Sequence, residues 1–116
     1  MELIDNTLEP RITTDTMQDG TRYVSAECSS VVCSKNILMS LTPTPASPLT
    51  YVINKVQYVG GCQGNTTGVC RLVQGMKVAD VITRLDGINC RGRGTSCPDQ
   101  LARVLKQIRD KEVTIP

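Results

Sequence analysis

Three stretches in the first half of the chain alternate polar and apolar positions or gather β-branched residues: "TRYVSAEC" (21–28), "SVVCSKNILMSLT" (30–42) and "TYVINKVQYV" (50–59). A period of two sends successive side chains to opposite faces of a strand, so each stretch is expected to be one. Residues 1 to about 20 carry Pro10 and the turn-forming "QDG" at 18–20, and read as an irregular lead-in. "PTPASP" (43–48) cannot pair inside a sheet, because proline lacks the N–H a ladder needs. Gly60 and Gly61 end the third strand, and the period then changes. Val69, Leu72, Val73 and Met76 recur at helical spacing, with Asn65 or Thr66 as the cap and Gly75 at the terminus. Val78, Val81, Ile82 and Leu85 make a second short helix, closed by "DG" at 86–87. "TSCPDQLARVLKQIRDK" (95–111) is the clearest helix, with Leu101, Val104, Leu105 and Ile108 as its apolar face. Ser96 is the expected N-cap, Pro98 falls in the first turn and Asp99 completes a capping-box-like pattern. The expected architecture is an α+β single domain. A small antiparallel sheet of about three or four strands is followed by three helices, near 66–75, 78–85 and 97–110, packed on one face.

Composition narrows the chemistry. At 116 residues there is room for one modest core, and three Tyr with no Phe or Trp leave it to aliphatic residues, Met and Cys. Few aromatics argue against a base-stacking platform for single strands. A net charge of +2 is too small for a duplex-binding footprint. The basic residues cluster instead, at Arg91 and Arg93 and along Arg103, Lys106 and Arg109, which suits a small anionic ligand. His is absent, which removes the commonest metal ligand and general base. "MELIDNTLEP" lacks a signal peptide's basic and apolar regions, and no apolar run is long enough to span a membrane. The expected location is the cytoplasm, with six reduced cysteines.

Those cysteines, at 28 and 33, 62 and 70, 90 and 97, lack CxxC spacing. They are expected to be small buried apolar residues, although Cys62, Cys90 and Cys97 could converge in the fold. No catalytic residue, metal or cofactor is expected. "GGCQGNTTG" (60–68) admits two readings, a strand-to-helix turn or a phosphate cradle opening a helix at Asn65. No GK[ST] follows, so it is not a P-loop. In "NCRGRGTSCPD" (89–99), two arginines interleave with glycines ahead of a helix N-terminus. Guanidinium forks, hydroxyls and a helix dipole complement phosphate oxygens. Capping accounts for Ser96 and Asp99 but does not require Arg91 or Arg93. Arg91, Gly92, Arg93, Gly94, Thr95 and Ser96 therefore form a candidate anion site. Arg22 is followed by Tyr23, whose ring could face a base or ribose. Met76 could wall an adenine or fill the core. Arg103 and Arg109 stand six apart and need not serve one site.

"VGGCQGNTTGVCRLVQGMKVADVI" followed by "LDGINCRGRGTSCPDQLARVL" resembles the TSCPD-domain proteins, named for residues 95–99 here. The "CSKNI" and "VQYVGGCQGN" segments fall in the matching order, and the resemblance runs from about 30 to 110. It divides the chain into an N-terminal extension, 1–29, and a TSCPD-like unit, 30–116, joined in one compact body. With that extension and the "TPTPASPLT" excursion, the chain is similar to the Thoeris anti-defence proteins of phages and prophages. That resemblance implies a sponge that sequesters cyclic ADP-ribose signals without cleaving them, and in some members cyclic oligonucleotides at a second site. It further implies a homo-oligomer that contacts neither a membrane nor a nucleic-acid polymer. On it, Arg22, Tyr23, Asn65, Met76, Arg103 and Arg109 are the candidate residues for the cyclic ADP-ribose site, and the 91–96 segment for the second. The competing implication is an accessory zinc- or nucleic-acid-binding module, like the terminal domains of ribonucleotide reductases.

Overall fold

The computed structural model describes residues 8–30, 32, 34–45, 50–60, 63–88 and 95–114, with backbone alone at 63–65 and 111–114. Four strands, β1 (Arg11–Thr16), β2 (Arg22–Glu27), β3 (Ser34–Thr42) and β4 (Val52–Gly60), are followed by α1 (Gln63–Val73), α2 (Val78–Leu85) and α3 (Cys97–Thr114). The strands pair as an antiparallel meander in the order β1-β2-β3-β4. The α+β architecture expected from the strand and helix periods is the one observed.

Alternation along the strands assigns the two sheet faces. Val24 and Ala26, Ile37, Met39 and Leu41, and Ile53 and Val56 point to one side and are buried. The helices cover that side with Val73, Val78, Val81, Ile82, Leu101, Val104, Leu105 and Ile108. A bulge beside Ser40 and Leu41 inserts Asn54 into β4, so Asn54 and Lys55 are both exposed while Ile53 and Val56 are both buried. The opposite face carries Thr13 and Asp15, Tyr23 and Ser25, Leu38 and Ser40, and Lys55 and Gln57.

Residues 11–16 correct the expectation of an irregular lead-in, because they form β1. Its "RITTDT" sequence has one apolar side chain, Ile12, partly buried against the core, and is otherwise polar and mostly exposed, as an edge strand tolerates, so hydrophobic alternation gives little signal. The "QDG" turn joins it to β2. Gly20 adopts φ 92°, its N–H bonds Met17 O at 2.9 Å, and Asp19 Oδ1 accepts the Thr21 N–H at 2.9 Å. The α1 helix begins at Gln63, three residues before the expected start, so Asn65 and Thr66 lie within its first turns and not at a cap. Its buried side runs through Thr66 and Val73, with Val69 and Cys70 partly buried between them. Leu72, one of the residues at helical spacing, falls about 100° from the middle of that side and is 77% exposed. Gly75, at φ 85°, turns the chain so that its N–H reaches Ile53 O at 2.7 Å. Ile53 N–H in turn donates to Met76 O at 2.9 Å, which closes the start of β4's outer edge. The α2 helix occupies its expected span, and α3 runs four residues past its expected end.

The burial difference predicts contrasting stabilities. Leu105→Ala should cost roughly 2–5 kcal/mol, whereas Leu72→Ala should cost less than about 0.5 kcal/mol. Urea denaturation of the two variants checks this, and equal losses would contradict the placement of α1.

Candidate functional site

The Thr95–Asp99 segment folds into a buried polar knot at the start of α3. Ser96 caps the helix: its Oγ accepts the Asp99 N–H at 3.1 Å and donates to Ile88 O at 2.7 Å. Asp99, 1% exposed, accepts from Gly87 N–H at 2.7 Å, Thr95 Oγ1 at 2.5 Å and Arg103 Nε at 2.7 Å. Gln100 is fully buried and uses both ends of its amide. Its Oε1 accepts Ser29 N–H at 2.9 Å, and its Nε2 donates to Leu8 O at 2.6 Å and Thr95 Oγ1 at 3.0 Å. The knot therefore ties α3 to the α2 terminus, the β2–β3 connection and the segment ahead of β1.

The expected residues are scattered by this fold. Arg22 and Tyr23 are neighbours on one strand and point to opposite faces. Arg22 donates to Gly20 O at 3.2 Å on the helix side, while Tyr23, 49% exposed, stands on the open face. Arg103 bridges Asp99 and Glu9, and Arg109 Nε meets Asp110 Oδ1 at 2.9 Å. Met76 packs against the core from the α1–α2 turn. Asn65 is helical, and its side chain lies outside the described atoms. In the second set, Arg91, Gly92, Arg93 and Gly94 lie outside the described residues, while Thr95 and Ser96 are buried with their hydroxyl protons donated internally.

Three thiols approach Tyr58, whose hydroxyl donates to Cys97 O at 2.9 Å. Burial, and then the neighbouring Cys97 thiol, push Cys28 up to about 12, so it is a neutral thiol at physiological pH. Burial also raises Cys70. Burial first, and then these thiols, raise the Tyr58 phenol. Cys97 Sγ pairs with Ser34 Oγ at 3.0 Å. Among the described residues no three His, Cys, Asp or Glu side chains come together as a metal-binding group. Cys62 and Cys90 are not among those residues.

Among the described residues, two hollows concern the sheet. The first, about 350 Å³, sits on the open sheet face and is walled by Tyr23 and Leu38, with Ser25, Ser40 and Lys55 around them. Register places Asp15, Tyr23, Ser40 and Lys55 in one row across all four strands. The second, about 430 Å³, is a polar groove between β4 and α1. Of the expected residues, Tyr23 lines the first hollow. Sequence reasoning missed Leu38, Lys55 and Arg71, although the outward alternation of Lys55, Gln57 and Val59 on β4 was a usable signal.

A model of the TSCPD domain family matches residues 9–109. The chain belongs to the TSCPD domain family. The match takes in β1 and β2, which the sequence reading had set apart as an extension. No curated protein matches the chain, and neither does any solved structure. Among the described residues no helix is long and apolar enough to cross a membrane.

Burial works to raise the Asp99 carboxyl, but hydrogen bonds from Arg103, Thr95 and Gly87, with the Arg103 charge, outweigh it and hold the group below its ordinary value of 3.8. A carboxyl depressed in the folded state stabilises at pH above its unfolded value, and loses that contribution as pH falls through the folded one. Asp99→Asn should therefore destabilise by roughly 2–4 kcal/mol at neutral pH. It should also flatten the loss of stability below about pH 4. Denaturation midpoints between pH 2 and 7 check both; an unchanged acid slope would contradict the role given to Asp99.

Proposed function

We propose that the chain is a non-catalytic binding protein of the bacterial cytoplasm. It captures a small cyclic nucleotide of the cyclic ADP-ribose type and holds it uncleaved, as an anti-defence sponge. The motif resemblance supports this reading, and one structural observation carries it: the half-exposed Tyr23 ring beside Leu38 in the open-face hollow. An aromatic ring next to an aliphatic side chain gives a base a flat apolar wall, and stacking of that kind contributes about 1–3 kcal/mol. Ser25, Ser40 and Thr13 offer hydroxyls for a ribose, and Lys55 offers a charge for a phosphate.

The hollow is open on its solvent side, and small-molecule sites bury most of their ligand. A second copy of the chain, laid across the open face, completes it in this reading. Cyclic oligonucleotides are the second ligand class, with Arg91 and Arg93 as their contacts.

Calorimetric titration of cyclic ADP-ribose tests the central step. Tyr23→Ala should weaken binding about ten- to a hundredfold, with folding unchanged. Arg91→Ala should affect cyclic oligonucleotides and spare cyclic ADP-ribose. Heat denaturation of the complex should release the ligand intact, and light scattering should give a mass well above the 12.6 kDa of one chain. Binding that ignores Tyr23→Ala, or a cleaved ligand, would overturn the reading.

A further inference from the structure

The groove along β4 has a charge character of its own. Lys55 and Gln57 enter it from the strand, and Thr67, Arg71 and Gln74 from α1. Among the described residues its lining holds two cations and no carboxylate, the other polar side chains being amides, hydroxyls and the Cys70 thiol. The sequence that follows β4, "GCQGNTTGVCR" (61–71), contains no acidic residue. The cations of α3 differ, since Arg103, Lys106 and Arg109 each meet a carboxylate. Among the described residues no ion pair uses Lys55 or Arg71.

The helix ends point the same way. The first turns of α2 and α3 carry Asp80 and Asp99, whereas the first turn of α1 carries no acid. Its partial positive charge adds to the field of the groove uncompensated by its own side chains. Strand position adds room: the 75–78 segment covers β4's edge only near Val52 and Ile53, and the groove opens beyond it.

We propose that this groove binds the phosphates of a diphosphate-bearing ligand, Lys55 taking one from the strand side and Arg71 the other from the helix side. A volume of about 430 Å³ exceeds what a single phosphate fills. Gln57, Gln74 and Thr67 supply neutral donors to the remaining oxygens. Lys55 and Gln57 also line the open-face hollow, so the two cavities adjoin at these side chains. A nucleotide can thus set its base against Tyr23 and its phosphates in the groove. The groove's chemistry does not depend on which nucleotide the chain captures, and inorganic pyrophosphate probes it alone.

Titration of the full chain with pyrophosphate at low and moderate salt is the test. Lys55→Gln and Arg71→Gln should each weaken binding by about tenfold or more, and Arg71→Lys should fall between Arg71→Gln and the unaltered chain. Arg84→Gln removes the same charge from the exposed face of α2 and should leave binding within about twofold. Thermal melts should be unchanged throughout, because the substituted side chains are exposed. No pyrophosphate binding by the unaltered chain would overturn the assignment. So would equal losses in Arg71→Gln and Arg84→Gln, which would reduce the effect to net charge. Pyrophosphate binding that survives where cyclic ADP-ribose binding is absent would uphold the groove and count against the captured signal alone.

Discussion

Asp99 and Gln100 enter the interior side by side at the first turn of α3, and both must be fully partnered there. A buried carboxylate without donors, or a buried amide with idle ends, costs more than a packed apolar residue would gain. The fold supplies partners from four separate places: Thr95 and Arg103 nearby, Gly87 after α2, Ser29 between the middle strands, and Leu8 before β1. The Thr95 and Arg103 bonds are local, whereas the Gln100 bonds to Ser29 and Leu8 form only when distant parts of the chain are brought together. The knot therefore fixes where α3 lies on the sheet, and with it which face is covered.

The uncovered face follows from that placement. With all three helices drawn to one side, the meander leaves a row of polar and apolar side chains open on the other. Tyr23 and Leu38 are exposed there because of alternation, since their strand neighbours Val24 and Met39 are the buried ones. Beyond the contact of β4 with Met76, α1 runs beside the strand and the two form a groove. The buried Thr95, Ser96 and Asp99 of the "TSCPD" letters thus hold the structure, while the candidate binding chemistry lies on the sheet and its edge.

Much of the architecture was legible from period alone. Helix α3 announces itself through Leu101, Val104, Leu105 and Ile108, and the Ser96 cap forms as its sequence suggests. The β1 strand was not legible, because an edge strand needs no apolar face. The exposure of Leu72 is not legible from spacing, because helical spacing admits neighbouring registers and burial of Thr66 and Val73 selects one of them. At the site, Tyr23 was named from its type. Its separation from Arg22 follows from strand alternation, which sends neighbouring side chains to opposite faces. Lys55 and Arg71 stand 16 positions apart in the chain, and only the packing of α1 against β4 brings their two elements together. Arg103, by contrast, looked like a ligand contact and is held by two carboxylates that local spacing only half reveals: Asp99 lies one turn away, but Glu9 comes from the far end of the chain.

The account separates a binding surface on the sheet from a structural knot at α3, and backbone amide shifts measured on adding cyclic ADP-ribose test that separation directly. The perturbed amides should lie around Tyr23, Leu38, Gln57 and Arg71, with those of Ser96 to Gln100 left in place. Shifts concentrated at Thr95–Gln100, with the open face silent, would contradict it.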